Sequence, residues 1–300
     1  MSTRSSGLLL ALVLTVSSAL AQRQILPDFH ADPTARVFAG RVYVYPSHDI
    51  AGSKYWDMVD WHVFSSDDLV TWKDHGVIFS LQDITWAKRY AWAPDCVERN
   101  GRYYFYFPAD EQIGVAVADL PTGPFKDALG HPLINRREAG IFAIDPCAFI
   151  DDDGQAYLYF GGGSRLGIVK LKPDMITREG EINVLPMPFY HEGIWVHKRG
   201  GLFYFSYPSW RGDHTANLLE YSTAPTPLGP FTHRGVILDN RSRNVHGSIV
   251  EFRGEWYLFY HVQGPSPYER RVCLAPLHYN PDGTIQPLTK HPAFAPGTGG

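Results

Sequence analysis

The chain has 300 residues, 44% of them apolar, which is enough for one large domain or two small ones. Lys plus Arg (27) nearly balances Asp plus Glu (31), and a formal net charge of −4 offers no electrostatic basis for binding nucleic acid or an acidic membrane. Aromatics are abundant, with 8 Trp, 17 Tyr and 17 Phe, and flat amphipathic side chains serve both to pack a core and to cover the apolar faces of sugar rings.

Residues 1–21 read as a secretory signal peptide. Arg4 supplies the charged start, Leu8 to Val16 the apolar stretch, and Ala19-Leu20-Ala21 a small-x-small cleavage site. The apolar run is shorter than the roughly 20 residues of a membrane-spanning helix. Residues 22–300 are therefore expected to form a single domain, secreted or periplasmic, with no membrane segment. Cys96, Cys147 and Cys273 are an odd set, so they cannot all pair within the chain; one disulfide or buried free thiols both fit.

Through the rest of the chain runs a repeat. A Gly is followed three residues later by a Tyr at Gly40/Tyr43, Gly101/Tyr104, Gly154/Tyr157, Gly201/Tyr204 and Gly254/Tyr257. Each Gly closes a turn between two runs rich in β-formers, which is a hairpin signal. A second strand pair follows each hairpin, as in VFSSDDLVTWKDHGVIF, LLEYSTAPTPLGPFTHRGVIL and VCLAPLHYNPDGTIQPL. Units of roughly 50 residues, each with four short strands and no helical periodicity, are the mark of propeller blades. The predicted fold is all-β: a five-bladed β-propeller with four antiparallel strands per blade. A β-sandwich is the competing architecture and leaves so long a period unexplained.

The repeat also gives each blade a register. Some eight or nine residues before the turn Gly, at the start of what should be the innermost strand, stand Asp32, Ala93, Asp145, Glu192 and His246. Taken singly, such residues are ordinary surface polars. At equivalent heights in four blades they converge on a narrow axis, where crowded carboxyl groups shift one another's pKa. Glycoside hydrolysis needs such a set: one carboxylic acid to protonate the leaving oxygen and one carboxylate to attack or to activate water. A third acidic neighbour can keep the acid protonated.

At these positions the sequence resembles glycoside hydrolase family 43. The matching segments are Ile25 to Pro33 (ILPDFHADP), Trp92-Ala93-Pro94-Asp95, Ile144-Asp145-Pro146, His191-Glu192-Gly193 and His246 to Glu251 (HGSIVE). The likeness runs from about residue 25 to about 288, and the order of the motifs makes it specific. It implies an inverting glycosidase with Asp32 as general base, Glu192 as general acid and Asp145 as the residue that orients the acid and raises its pKa. Arg270 looks like the last-blade arginine that reaches the pocket, with Arg271 as the competing choice because strand alternation sends the two to opposite faces. Trp92 resembles the aromatic of the first sugar site, or else packs between blades. His246 would be the axial histidine, which in relatives lies beside a calcium ion or a water. A structural calcium is thus one expectation at the axis, although calcium prefers about six to eight oxygen ligands; the chemistry itself requires no cofactor. The sequence departs from the commonest family pattern at Asp28, where glycine is frequent, and at His30, where tyrosine is frequent. Both flank the base, and His30 is expected to shape the first sugar pocket.

The resemblance implies release of terminal α-L-arabinofuranosyl or β-D-xylosyl units from plant-type oligosaccharides or polysaccharides by a monomeric enzyme. Exo-galactanase, galactofuranosidase and arabinanase activities occur on the same fold. A propeller that binds sugar without cutting it is the alternative from another class. A fructan-active propeller is disfavoured, because Ile144 rather than Arg precedes Asp145 and Gly193 rather than Cys follows Glu192. Asp151-Asp152-Asp153-Gly154 lacks the alternating spacing of a calcium loop, and Gly161 to Ser164 lacks the Gly-Lys-Ser/Thr of a phosphate loop.

Overall fold

The structure, a computed structural model, describes residues 22–210, 217–240 and 242–288; the predicted signal peptide lies outside them. Twenty strands form five four-stranded antiparallel sheets. A short strand, β1 (Arg23–Gln24), comes first. Blade one holds β2 (His30–Phe38), β3 (Arg41–His48), β4 (Asp60–Ser66) and β5 (Lys73–Ser80). Blade two holds β6 (Asp95–Arg99), β7 (Arg102–Ala109), β8 (Gln112–Ala118) and β9 (Lys126–Asp127). Blade three is β10 (Cys147–Ile150), β11 (Ala156–Phe160), β12 (Leu166–Leu171) and β13 (Arg178–Leu185). Blade four is β14 (Trp195–Arg199), β15 (Leu202–Ser209), β16 (Leu218–Ala224) and β17 (Thr232–Leu238). Blade five contributes β18 (Gly247–Phe252), β19 (Glu255–Gln263) and β20 (Arg270–Leu277).

The predicted five-bladed propeller is the observed fold, with one difference in its last blade. Among the described residues, the segment after β20 makes a single bridge, Tyr279 to Ile285. The fourth strand of that sheet is instead β1, whose Arg23 and Gln24 pair with Leu274 and Cys273. Joining the first strand to the last blade closes the ring and removes an open sheet edge.

The turn glycines explain why each blade starts where it does. Asn100 and Gly101 both have positive φ, 55° and 76°, the backbone of a two-residue hairpin turn whose twist matches the strands it joins. The same pair of left-handed residues recurs at Ala39-Gly40, Gly200-Gly201 and Arg253-Gly254. Each turn sets one innermost strand against its neighbour, and the five innermost strands (β2, β6, β10, β14 and β18) touch in a closed circle.

Between the blades the sheets bury large side chains. Trp61, Tyr45, Phe105 and Phe107 pack between blades one and two at 0% exposure, and blades three, four, five and one share a second cluster. The three cysteines are buried free thiols. Near the axis, Arg36 of blade one stitches four blades together. It holds both Asp95 carboxylate oxygens, at 3.0 and 2.5 Å, and donates to the Ala148 carbonyl at 2.7 Å. Its guanidinium also lies 4.2 Å above the Trp195 ring. A buried charge is tolerable here because every face of it is partnered.

Candidate active site

Local backbone geometry brings the acidic groups to the axis. Asp32 sits in a bulge of β2, where the pairing with β3 shifts between Ala31 and Thr34. Its φ is 48°, and Asp145 has φ 52° just before β10. Asp adopts this left-handed conformation more readily than most residues, at some cost in strain of the kind that collects at functional sites. Both are followed by proline, Pro33 and Pro146. Glu192 precedes Gly193, which has φ 59°, and a Cβ on that glycine would come within 2.6 Å of the His246 ring. Only glycine lets Glu192 and His246 approach one another.

His246 is the hub. Its Nδ1 lies 3.5 Å from Asp32 Oδ1, and its Nε2 lies 3.5 Å from Asp145 Oδ2 and 3.6 Å from Glu192 Oε1. Burial works against its charge, but Asp32, Asp145 and Glu192 raise its pKa to about 9, so the imidazole is a cation at neutral pH. Asp32 accepts from Arg270 Nη1 at 2.7 Å and from the Ser47 hydroxyl at 2.7 Å. Its own burial would raise its pKa; Arg270 and then His246 outweigh that and hold the carboxyl well below the usual range. Asp32 is therefore a firmly ionised carboxylate.

Arg270 is anchored from behind. Asp49 takes its Nε at 2.9 Å and its Nη2 at 2.8 Å, and accepts its backbone N–H at 2.9 Å. His261 Nδ1 accepts the Asp32 backbone N–H at 3.1 Å, fixing the turn that carries the base.

Asp145 and Glu192 differ although both are buried. Asp145 is pushed well up, first by burial and then by the charges of Glu192 and Asp32, against the pull of His246. For Glu192 burial also acts upward, but the nearby imidazoles of His246 and His191 win and hold it low. Their surroundings thus push the two carboxyl groups in opposite directions, Asp145 up and Glu192 down.

These residues line one cavity of about 170 Å³, with Arg270 and Asn244 beside them and Tyr55, Trp56, Met58, Trp92, Phe142 and Ile144 as its largely apolar wall. Of the predicted residues, Asp32, Asp145, Glu192, His246, Trp92 and Arg270 all face it. Arg270 rather than Arg271 is the inward residue: Arg270 is 2% exposed, whereas the Arg271 guanidinium stacks 4.8 Å above the Phe29 ring. Trp92 fills both expected roles, lining the cavity while its Nε1–H donates to the Trp56 carbonyl at 2.8 Å and its ring packs against the inter-blade core. His30 is a correction. It does not line the cavity; its ring is buried against His48, His62 and Phe64, because the bulge between Ala31 and Thr34 breaks the alternation that would otherwise keep residues 30 and 32 on one face.

Sequence reasoning missed Asp49, His261 and the wall residue Phe142. Asp49 directly follows β3 and His261 lies within β19, so the repeat register could have pointed to them as neighbours of the innermost strand, but the counting stopped at that strand.

The profile of Glycosyl hydrolases family 43 matches residues 21–285, nearly the whole described chain. The chain belongs to Glycosyl hydrolases family 43. Among curated relatives of this family, a Xylosidase/arabinosidase of Bacteroides ovatus is 38% identical over 88% of this chain and 96% of its own length. Two solved structures of the family are also similar. One is a β-xylosidase/α-arabinofuranosidase from a compost microbial metagenome, in complex with xylotriose and in a calcium-free form; it is 35% identical, with a TM-score of 0.81 over 89% of this chain and 97% of that one. The other is an α-L-arabinofuranosidase of Clostridium thermocellum, 39% identical, with a TM-score of 0.76 over 87% and 94% of the two chains. This family member is a glycosyl hydrolase.

One expected result concerns the anchor. Asp49→Ala should lower the unfolding free energy by about 3–5 kcal/mol, since it leaves a buried guanidinium short of its main partner. Urea denaturation checks this, and a loss under about 1 kcal/mol would mean that Asp32 alone holds Arg270.

Proposed function

We infer that this protein removes single terminal α-L-arabinofuranosyl or β-D-xylosyl units from plant-type oligosaccharides and polysaccharides, with inversion at the anomeric carbon. The observation that carries this reading is the convergence of Asp32, Asp145 and Glu192 on one imidazolium at the floor of a 170 Å³ cavity. A recess of that size suits one sugar ring rather than the middle of a chain. Its acidic side meets the hydroxyls and the reacting centre, and its aromatic wall meets the apolar ring face. The names of the relatives, Xylosidase/arabinosidase among them, support a pentose as that ring.

Asp32 is the base. Fixed in its ionised form by Arg270 and Ser47, it takes a proton from water as the water oxygen attacks the anomeric carbon. The bond to the leaving oxygen breaks as that oxygen takes a proton from Glu192. One proton has then moved from Glu192 to the released alcohol and one from water to Asp32, and exchange with solvent resets both. Asp32 and Glu192 lie on opposite nitrogens of one ring, at 3.5 and 3.6 Å. With roughly 2.2 Å between the ring nitrogens, the two carboxyl oxygens stand at most about 9 Å apart, a ceiling that accommodates the roughly 6.5–9.5 Å separation of inverting pairs.

Asp145 stores the proton. Its Oδ2 accepts the Gly193 backbone N–H at 3.2 Å, which ties it to the turn that carries Glu192. When sugar displaces water from the cavity, an ionised Glu192 loses solvation and the shared proton passes to it.

A calcium ion beside His246 does not fit these residues. Among the described residues, the His, Cys, Asp and Glu side chains at the axis with ligand atoms within 4.8 Å of one another are Asp145, Glu192 and His246. The rest of about six to eight calcium ligands would have to be water, and the adjoining axial cavity is about 20 Å³, room for a single water. The imidazolium itself supplies positive charge at that place.

Residues 1–21, with their charged start and short apolar run, support export to the periplasm or medium, and a large extracellular polymer as substrate is consistent with it. Among the described residues no helix is long and apolar enough to cross a membrane. We take the enzyme to act as a monomer.

The test is an assay against nitrophenyl pentosides and hexosides, with NMR of the first-formed anomer. Release of arabinose or xylose with inverted configuration is expected. Retention of configuration, or turnover of hexosides alone, would overturn the reading.

A further inference from the structure

On the flank of blade one, away from the cavity, stands a second cluster of ligating side chains. His48 ends β3, and Asp60 and His62 lie on the adjacent β4. Pairing of Ser47 with Trp61 across these strands puts His48, Asp60 and His62 on the same face, since neighbours of a paired position share the opposite side of the pleat. One ligand atom from each comes within 4.8 Å of the other two. His48 Nδ1 is 2.6 Å from Asp60 Oδ1, and His62 Nε2 is 3.6 Å from the same oxygen. The rings of His48 and His62 have centroids 4.3 Å apart. His30 stacks on His48 at 5.0 Å and backs the pair from the protein side.

A histidine cluster that served packing alone would pair its ring nitrogens. Here neither nitrogen of His62 has a hydrogen-bond partner, although both are shielded from solvent. An unpartnered nitrogen is costly to bury. His30 is buried at 2% exposure; its Nδ1 lies 2.9 Å from the Pro27 carbonyl, and its Nε2 has no partner. An imidazole lone pair left without a proton donor is what a metal ion takes up.

We propose that His48, Asp60 and His62 form a binding site for a divalent transition-metal ion of the zinc type. Two imidazoles and one carboxylate are donors that borderline ions accept and that calcium or magnesium would not select. Bonds of about 2.0–2.2 Å to three such ligands require them to stand roughly 3.3–3.5 Å apart in a tetrahedron. Small side-chain rotations bring the present set to that spacing, and the ion replaces the proton now shared by His48 and Asp60. The fourth position falls to water on the open side, where the side chains of His48 and Asp60 are 31% and 20% exposed. None of the three residues lines the catalytic cavity. The site is nonetheless joined to it, because the residue after His48 is Asp49, the anchor of Arg270.

The test uses the untagged full chain, stripped with a chelator and titrated with zinc chloride by calorimetry, with cobalt(II) absorption as a second probe. One saturable equivalent is expected, with a melting temperature that rises with free zinc. His62→Ala should weaken binding at least about tenfold, while His246→Ala, which removes the axial cluster, should leave it intact. Far-UV circular dichroism and melting without metal check that the variants fold. Should His62→Ala fail to fold, His48→Gln, at a more exposed position, is expected to give the same loss and to abolish the cobalt spectrum. Absence of saturable binding overturns the proposal, as does full affinity in His62→Ala or His48→Gln, or loss of binding in His246→Ala.

Discussion

Asp32→Asn should lower kcat/KM by about 1,000- to 10,000-fold on every glycoside the enzyme accepts, which corresponds to about 4–5.5 kcal/mol of transition-state stabilisation. The amide keeps the shape of the carboxylate but cannot take a proton from water. Because the base acts on the water and not on the departing oxygen, the loss should be the same for natural oligosaccharides and for nitrophenyl glycosides. Arg270 retains its three contacts to Asp49, so the variant should fold, and sugar binding should persist with KM changed little. Steady-state kinetics on two leaving groups would check this. A loss below about tenfold, or one that follows the leaving group, would remove Asp32 from the role of base.

Glu192→Ala should behave in the opposite way. On natural oligosaccharides, whose alcohol leaving group must be protonated, a loss of about 100- to 10,000-fold is expected. On nitrophenyl glycosides, whose leaving group departs as a stable anion, the loss should be at least about tenfold smaller. Asp145 gives the matching control. In the proposed mechanism it stores the proton, so Asp145→Asn should lower the pKa of the acidic group seen in the pH profile and should not discriminate between leaving groups as strongly. If Glu192→Ala lost activity equally on both substrates while Asp145→Asn discriminated, the acid would be Asp145, the carboxyl that burial and its charged neighbours already push upward in the free site.

Much of this was legible along the chain because a propeller is a repeat. Each blade must turn at the same point, and a two-residue turn with both φ angles positive accepts few residues, so glycine marks it in sequence. The innermost strand that precedes each turn has one end at the axis, which allowed Asp32, Asp145, Glu192 and His246 to be placed together by counting. The closing strand was not legible in that way. Arg23 and Gln24 pair with β20 through backbone groups, and backbone pairing leaves no mark on so short a segment. The segment after β20 read as the second strand of a pair with it, yet β1 had already taken the open edge.

Side-chain direction was the other limit. His30 stands two residues before Asp32, and a bulge between Ala31 and Thr34 shifts the pleat just where the pocket begins. Proximity in sequence to the base therefore said nothing about facing the sugar. Asp49 escaped notice for a related reason: its partner, Arg270, lies at the far end of the chain, and a pair that far apart exists only once the ring has closed.

The order and spacing of residues alone determined the number of blades, the hairpin positions and which ionisable groups share the axis, since these follow from local turn chemistry repeated along one chain. The tertiary structure decided that the two acidic neighbours are shifted in opposite directions. Asp145 and Glu192 have similar intrinsic acidity, and what separates them is burial together with the placement of His246, His191 and Asp32 around each. Electrostatic energies depend on distance and solvation in space, and neither is written in the spacing of residues along a strand.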